Sequence, residues 1–345
     1  MIEAIAHLGL LDDEDIRLDL AALELSALDH PGVDLSPYVE LLDAIEADLR
    51  AMPVAADDVV AQAAALGADC VVSLGGGSTT GLGKAMAWRT DIPQIVIPTT
   101  YAGSEVTPIL GETVDGVKTT RRSADILPEV VIYDPALTDT LPRRLAVTSG
   151  LNAMAHAVEA IYAQDRNPIT TLQALEGLRA LKEGLPRIVA QPRDLQARVL
   201  ALYGSWLCGT VLGTVGMSLH HKLCHTLGGT FDLPHAETHA ILLPHAAAYN
   251  AEAAAEVLQP VATLFGGSVG GGLYDFARSL GAPNALKAFG LEERDLDRAA
   301  DLAATNPYWN PRPIEKAAIR QLLWNAWNGD RPQSSWDADG KEKTR

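Results

Sequence analysis

The sequence contains few cysteines and no long apolar run. Its three cysteines, Cys70, Cys208 and Cys224, are odd in number and far apart, so no disulfide framework or CxxC pair is present and a reducing, cytoplasmic setting is predicted. No stretch approaches about 18 uninterrupted apolar residues, which predicts no membrane span. The first residues lack a basic region followed by an apolar one, so we expect no secretory signal.

Basic residues are scarce relative to acidic ones. The 345 residues include 27 Lys and Arg against 44 Asp and Glu, which gives a net charge of −17. Because nucleic acids and anionic membranes are polyanions, this balance disfavours both as partners. It still allows a small anionic substrate, since a local cluster of His, Lys and Arg can make the electrostatic potential inside one pocket positive.

Four regions differ in their residue pattern. Residues 1–50 resemble an acidic helical segment, and residues 331–345 a polar tail. Residues 51–140 alternate helical stretches with the short apolar runs "CVVSL", "QIVIPTT" and "VVIYDP", which predicts an α/β dinucleotide-binding domain with a parallel sheet. Residues 141–330 show only helical patterns and predict an all-helical substrate and catalytic domain. The cleft between these two domains is the expected ligand site.

Two loops at strand ends predict a cofactor crevice. In "CVVSLGGGSTTGLGKA" a glycine-rich loop lies between a strand and a helix, where the backbone can approach a phosphate closely and helix N–H groups are free. A tight turn without a ligand explains this loop equally well. Its candidate residues are Gly75, Gly76, Gly77 and Ser78, and Ser78 is also expected to cap the helix. The loop after the next strand, "VIPTTYAGSEVTP", adds the hydroxyl groups of Thr99, Thr100, Ser104 and Thr107.

Seven of the nine histidines lie between residues 156 and 245. His156 shares a helical face with Asn152, and His221 shares one with His225. The segment "GGTFDLPH" is expected to be a loop that returns His235 toward them. A single histidine in a helical domain is more often a core or surface residue, whereas six within 26 positions favour a functional cluster.

The cluster has two possible uses. A divalent metal site is one, but iron or zinc usually requires a carboxylate or thiolate ligand, and the helix of His156 offers the neutral amide of Asn152 instead. The other is that the histidines and Lys222 bind substrate carboxylates and stabilise a developing oxyanion. Asn152 weakens the first interpretation without excluding it.

Long motifs, taken together, resemble the iron-containing (group III) alcohol dehydrogenase family. They are "GGGS", "IPTT…GSE", "SGLNAMAHAVEA" and "H…H…LPH…LPHAAAYN", and the match runs from about residue 55 to about residue 332. The resemblance implies a dehydroquinate synthase-like fold with an α/β N-terminal domain and an all-α C-terminal domain. It also implies NADH or NADPH as cofactor and a homodimer.

Within the family, the residues resemble a reductase subgroup that is thought to work without metal. Metal-dependent members hold the ion with an aspartate and three histidines, and the matching positions here are Asn152, His156, His221 and His235. Asparagine at the first of these, and Gly81 where those members have another aspartate, follow the subgroup's pattern. No metal is therefore expected. The implied reaction is hydride addition to a carbon–carbon double bond in a small dicarboxylate substrate.

The resemblance also suggests roles for single residues. His156, His221 and His235 are expected around the substrate, and His225 near the nicotinamide. Lys222 is expected to offset carboxylate charge. Lys118, in "GVKTTRR" ahead of a strand, is either a cofactor contact or an exposed turn lysine.

Residues 1–50 depart from the family pattern. Members normally begin with strands that contribute to the cofactor crevice, whereas these residues contain no β-branched run. The sheet is therefore expected to lack its first strands, and cofactor affinity to be impaired. Two alternatives to the reductase therefore stay open. One is a metal-dependent alcohol dehydrogenase of the same fold, which Asn152 disfavours, and the other is a degenerate homologue whose N-terminal region no longer supports activity.

Overall fold

The computed structural model describes residues 56–114 and 117–332. The predicted helical segment of residues 1–50 lies outside the described residues, as does the predicted tail from residue 333 on. The described chain divides into two units between Asp69 and Cys70. Helix α1 (Ala56–Leu66) belongs to the first unit and carries Asp57 and Asp58 in its first turn, where negative charge favours the helix dipole.

A three-stranded parallel sheet begins the second unit. Its strands, in the spatial order β1-β2-β5, are β1 (Val71–Gly75), β2 (Gln94–Pro98) and β5 (Val130–Val131). Helix α2 (Gly77–Thr90) connects β1 to β2, because parallel neighbours need a crossover connection. Gly83 lets α2 pack closely on the sheet, since a Cβ there would collide with the hydroxyl group of Ser73. The predicted alternation of strand and helix is confirmed.

A separate antiparallel hairpin follows β2. It consists of β3 (Ile109–Val114) and β4 (Val117–Arg122). Glycine, threonine and arginine interrupt the apolar alternation that indicates a strand, so the sequence did not predict this hairpin. Lys118, expected ahead of a strand, lies within β4, and its side chain lies outside the described residues.

Only helices and short turns follow β5 among the described residues, as predicted. The helices are α3 (Arg143–Tyr162), α4 (Pro168–Ala190), α5 (Leu195–Thr214), α6 (Leu219–Phe231), α7 (His235–Asn250), α8 (Ala255–Leu264), α9 (Val269–Ser279), α10 (Leu296–Ala304) and α11 (Lys316–Asn328). Sheet and helices belong to one unit, so a domain boundary near residue 140 remains a prediction. No single described helix is long and apolar enough to cross a membrane. Helices α5 and α6 reach that length and apolar composition only when counted together, and they are bent by 93° relative to each other.

Helix α3 runs through the centre of the helical part. Every residue from Ala146 to Tyr162 is buried, and the helix packs against α4, α5 and α7. Alanine dominates its sequence, and a helix that is mostly apolar all round is suited to a fully buried position. Its polar side chains, among them Asn152, His156 and Glu159, are consequently buried and need partners.

The turn between α6 and α7 is shorter than predicted. "GGTFDLPH" was expected to be a loop, but α6 continues through Phe231 and only residues 232–234 separate the two helices. Leu223 and Leu227 anchor α6 in a core shared with α7, and this packing outweighs the low helix propensity of the glycines. Asp232 ends the helix in a left-handed conformation, with φ of 53°.

Candidate active site

The glycine loop presents uncapped helix N–H groups. Gly76 is the N-cap of α2 and no side chain caps the helix. Ser78 was expected to do so, but it lies exposed in the first turn, because the helix begins one residue before it. N–H groups of a first helical turn have no partner within the helix, so they are available to a phosphate group.

The second loop lies directly against the first. A Cβ on Gly76 would come within 2.9 Å of the Thr100 Cγ2 atom, and a Cβ on Gly77 would lie 3.8 Å from the Ser104 hydroxyl oxygen. That Ser104 oxygen is buried and has no hydrogen-bond partner among the described residues. An unsatisfied hydroxyl beside an uncapped helix N-terminus fits the phosphate of a dinucleotide.

The other predicted hydroxyl groups of this loop differ in position. Thr99 and Thr100 are half-buried at the end of β2. Thr107 is buried, and its hydroxyl lies 2.9 Å from the Lys84 ammonium and donates to the Ser104 carbonyl oxygen. The Thr107 hydroxyl is thus used inside the loop, and its predicted direct contact with a cofactor stays a prediction.

Three side chains form a hydrogen-bonded row that ends at the second loop. The His221 Nδ1 atom lies 2.6 Å from the Glu159 Oε2 atom, and its Nε2 atom lies 3.0 Å from the His156 Nδ1 atom. The His156 Nε2 atom lies 3.2 Å from the carbonyl oxygen of Ala102, which follows β2. Two of the predicted histidines are therefore in contact, and they adjoin the predicted cofactor crevice.

The donors and acceptors along this row determine where its protons lie. The Ala102 carbonyl only accepts, so the His156 Nε2 atom carries a hydrogen and its Nδ1 atom accepts from His221. One further proton then lies between His221 and Glu159. Burial raises the pKa of Glu159, and burial together with the charge of His225 lowers the pKa of His221. A neutral pair that shares this proton agrees with both directions.

His239 lies at the centre of the cluster. It is 1% exposed, and neither ring nitrogen has a hydrogen-bond partner among the described residues. Its ring centroid lies 4.2 Å from that of His235, 4.8 Å from that of His220 and 5.3 Å from that of His221. Burial, followed by repulsion from His235, lowers the pKa of His239 well below its usual value. A neutral imidazole with two unsatisfied nitrogens is available to a ligand or to proton transfer.

The cluster becomes more exposed at His225, Lys222 and His235. His225 and Lys222 are half-buried, whereas His235 is exposed. The His225 Nδ1 atom lies 3.1 Å from the Tyr308 hydroxyl, and the Lys222 ammonium lies 5.8 Å from the centre of the Tyr308 ring. A positive charge thus stands at the more exposed side of the histidines, where it favours an anionic ligand.

The metal position that the resemblance implies lacks an anionic ligand, because Asn152 stands in place of the aspartate. His, Cys, Asp and Glu ligand atoms within 4.8 Å of one another form two groups in the described chain, Glu159/His220/His221 and His220/Cys224/His239. Neither contains His156 or His235. Asn152 is buried and its Oδ1 atom has no partner in the described chain, but an amide brings no negative charge. Both Glu159 oxygens already accept hydrogen bonds, from the backbone N–H groups of Ser218 and His220.

Two residues of the site were missed in the sequence, Glu159 and Tyr308, while His220 and His239 were counted in the histidine cluster but given no role. Glu159 follows His156 by three positions, so its helical spacing was a usable signal. His239 follows His235 by four and offered the same signal. Tyr308 lies in "NPYWNPRP", and no local spacing relates it to His225, because the contact is made by tertiary packing.

Two family models match the chain. A family model described as "Fe-containing alcohol dehydrogenase family, C-terminal" matches residues 146–327, and one described as "Iron-containing alcohol dehydrogenase" matches residues 39–135. The chain belongs to the iron-containing alcohol dehydrogenase family. The second match begins inside residues 1–50, so the family pattern extends further toward the N-terminus than the motifs indicated.

Several similar members of the family are named maleylacetate reductase. Maleylacetate reductase of Rhizobium sp. (strain MTP-10005) is 67% identical over 269 residues, which cover 78% of this chain and 77% of that protein. Maleylacetate reductase of Burkholderia cepacia is 56% identical over 79% of this chain and 77% of its own. The crystal structure of maleylacetate reductase from Agrobacterium tumefaciens has a TM-score of 0.78 at 66% identity, over 80% of this chain and 79% of that one. The predicted likeness to the reductase subgroup is confirmed, whereas the expectation that it works without metal stays a prediction.

Proposed function

We propose that the chain is an NADH- or NADPH-dependent maleylacetate reductase that forms 3-oxoadipate in the degradation of aromatic compounds. The observation that carries the proposal is His239, a buried imidazole with two unsatisfied nitrogens, in ring contact with the His156–His221–Glu159 row. The identity to maleylacetate reductases over more than three quarters of the chain supports the substrate.

The cofactor is proposed to bind across the two loops. The first-turn N–H groups of α2 and the Ser104 hydroxyl would hold its phosphates, beside Gly75, Gly76, Gly77 and Ser78. Thr99 and Thr100 line the same side, and Lys118 remains a proposed contact. When bound, the nicotinamide supplies the hydride. The half-buried His225 is proposed to lie near it.

The histidine cluster is proposed to manage charge and protons. The double bond of maleylacetate is conjugated to a ketone, so its reduction develops negative charge on the ketone oxygen. The neutral His239 stabilises that oxygen through its ring N–H group, while the N–H group of His156 stays bonded to the Ala102 carbonyl oxygen. His239 then protonates the neighbouring carbon as its other ring nitrogen takes up the proton that the Glu159–His221 pair holds. His235 and Lys222 bind the carboxylates at the more exposed side. The Glu159–His221 pair fixes the tautomer of His156 and holds the proton that replenishes the cluster.

No metal takes part in this proposal. The ligand atoms at the implied metal position are all neutral, and they belong to Asn152, His156, His221 and His235. The amide oxygen of Asn152 is left to accept a hydrogen bond from the substrate or from water. The chain is further proposed to act in the cytoplasm as a homodimer, without nucleic-acid or membrane partners. The exposed apolar side chains of Ile169 and Leu172 are of the kind that a second copy covers, and light scattering tests the dimer.

One assay tests the function. The full chain is incubated with maleylacetate, and loss of NADH or NADPH absorbance is followed before and after treatment with a chelator. We expect turnover that survives chelation, in protein without stoichiometric iron or zinc. Turnover that requires stoichiometric metal would favour a metal-dependent dehydrogenase. Folded protein without turnover on either cofactor would identify a degenerate homologue.

A further inference from the structure

A buried lysine joins the two loops of the proposed cofactor crevice. Lys84 lies in α2, on the same helix whose first turn contains Gly77, and is 1% exposed. Its ammonium lies 2.5 Å from the Ser104 carbonyl oxygen, 2.7 Å from that of Thr107 and 3.0 Å from that of Ile109. The Thr107 hydroxyl lies 2.9 Å away. All four acceptors belong to the segment of residues 104–109.

The surroundings make this lysine hard to replace. Burial lowers the pKa of Lys84 to about 7, and the nearby negative charge of Glu105 opposes that shift. Glu105 is itself buried and accepts a hydrogen bond of 2.8 Å from the Tyr133 hydroxyl. A side chain without donors at position 84 would leave several buried carbonyl oxygens unsatisfied.

The contacts of Lys84 set the position of Ser104. The Ser104 carbonyl oxygen accepts a hydrogen bond from the Lys84 ammonium, and the unsatisfied Ser104 hydroxyl lies beside the first turn of α2. Lys84 therefore links the helix that offers N–H groups to the loop that offers the hydroxyl. We infer that Lys84 is a positioning residue for the dinucleotide. Lys84 holds the Ser104 hydroxyl and the N-terminal N–H groups of α2 at the spacing at which both can bind the same phosphate. The inference rests on the cofactor binding proposed above.

The test uses Lys84→Met, which keeps the length and apolar stem of the side chain but removes its donors. The dissociation constants of NADH and NADPH are measured by fluorescence titration of the full chain. For the cofactor that wild type binds better, we expect a rise of about tenfold or more, equivalent to about 1.4 kcal/mol. The kcat at saturating cofactor should stay within about threefold, because Lys84 acts on binding and not on the reacting atoms.

Lys182→Met is the matched control. Lys182 donates to the carbonyl oxygen of Leu264 in the helical part, so its loss also removes a lysine–carbonyl contact. It should lower the melting temperature without changing cofactor affinity. If Lys84→Met fails to fold, Thr107→Val takes its place, since it removes the hydroxyl that Lys84 contacts, and a rise of about threefold is expected.

A double-mutant cycle with Ser104→Ala separates positioning from general weakening. If Lys84 acts through Ser104, the two substitutions together should raise the dissociation constant by less than the product of their separate effects. Independent effects, or wild-type affinity in Lys84→Met, would overturn the inference alone. Failure of the wild-type chain to bind either dinucleotide would overturn the proposed cofactor as well, so the two failures are distinguishable.

Discussion

At the scale of single residues, the site depends on imidazoles that burial keeps neutral. Burial lowers the pKa of His156 and His239 well below the usual value and lowers that of His220 to about 4. A neutral imidazole both donates and accepts, whereas an imidazolium only donates. Neutrality is therefore what allows one cluster to stabilise an oxyanion and also to transfer a proton.

His239→Gln tests the central imidazole. Glutamine preserves polarity but cannot take up a proton on one nitrogen while it gives one from another, so we expect kcat to fall by about 10²- to 10⁴-fold while NADH affinity is unchanged. His245→Gln is the control, because His245 is buried in the same helix α7 but is not among the ring contacts of the cluster. Steady-state kinetics on both variants measures the difference. Similar kcat values for the two would remove His239 from the chemistry.

At the scale of elements, the site is assembled where a strand–helix junction meets a buried helix. The β1–α2 junction presents uncapped helix N–H groups, and the loop after β2 contacts His156 of α3 through Ala102. The two loops are close because glycines leave no side chain between them. Small changes in the glycine loop should accordingly affect the cofactor before they affect the substrate.

Gly76→Ala and Gly81→Ala make a matched pair in this segment. A Cβ at Gly76 would lie 2.9 Å from the Thr100 Cγ2 atom, whereas a Cβ at Gly81 would meet nothing within 4 Å. Gly76→Ala should raise the KM for NADH by about tenfold, because it separates the loops. Gly81→Ala should leave KM unchanged and stabilise α2 by about 1 kcal/mol. Kinetics and thermal denaturation measure the two effects, and equal KM values would contradict the close contact.

At the scale of the whole molecule, buried histidines couple stability to pH. Burial lowers the pKa of His220 to about 4 and that of His245 to about 3, from the ordinary value of 6.5. The unfolded chain then binds more protons than the folded one below pH 6.5, so stability present above that pH is lost as pH falls toward the folded pKa values.

Acid unfolding tests this coupling. The melting temperature should fall steadily between about pH 6.5 and pH 4, and His245→Gln should make that fall shallower because one buried proton acceptor is gone. At pH 7.5, the same variant should show only the loss caused by imperfect packing. Differential scanning calorimetry across this range provides the measurement. Parallel curves for wild type and variant would mean that His245 does not contribute.

The sequence by itself determined the class of fold, the two loops and the family. These depend on local signals: apolar runs, glycines at a strand–helix junction and helical spacing of the kind that relates Asn152 to His156. It also placed His156, His221, His225 and His235 in one cluster. In the structure His156 contacts His221 and Ala102, the ring of His225 lies near that of His221, and the ring of His235 lies near that of His239. Asn152, in place of an aspartate, correctly pointed to the reductase subgroup.

Only the tertiary structure decided which groups face one another. Glu159 pairs with His221 across 62 positions, and Lys84 reaches the loop of Ser104 across 20. Such contacts depend on how buried helices and loops pack, and burial then sets the proton affinity of each group. The extension of α6 through "GGTF" and the β3–β4 hairpin escaped prediction for the same reason, because packing overrides weak local propensity. The protonation chemistry of the site is therefore a property of the packed fold.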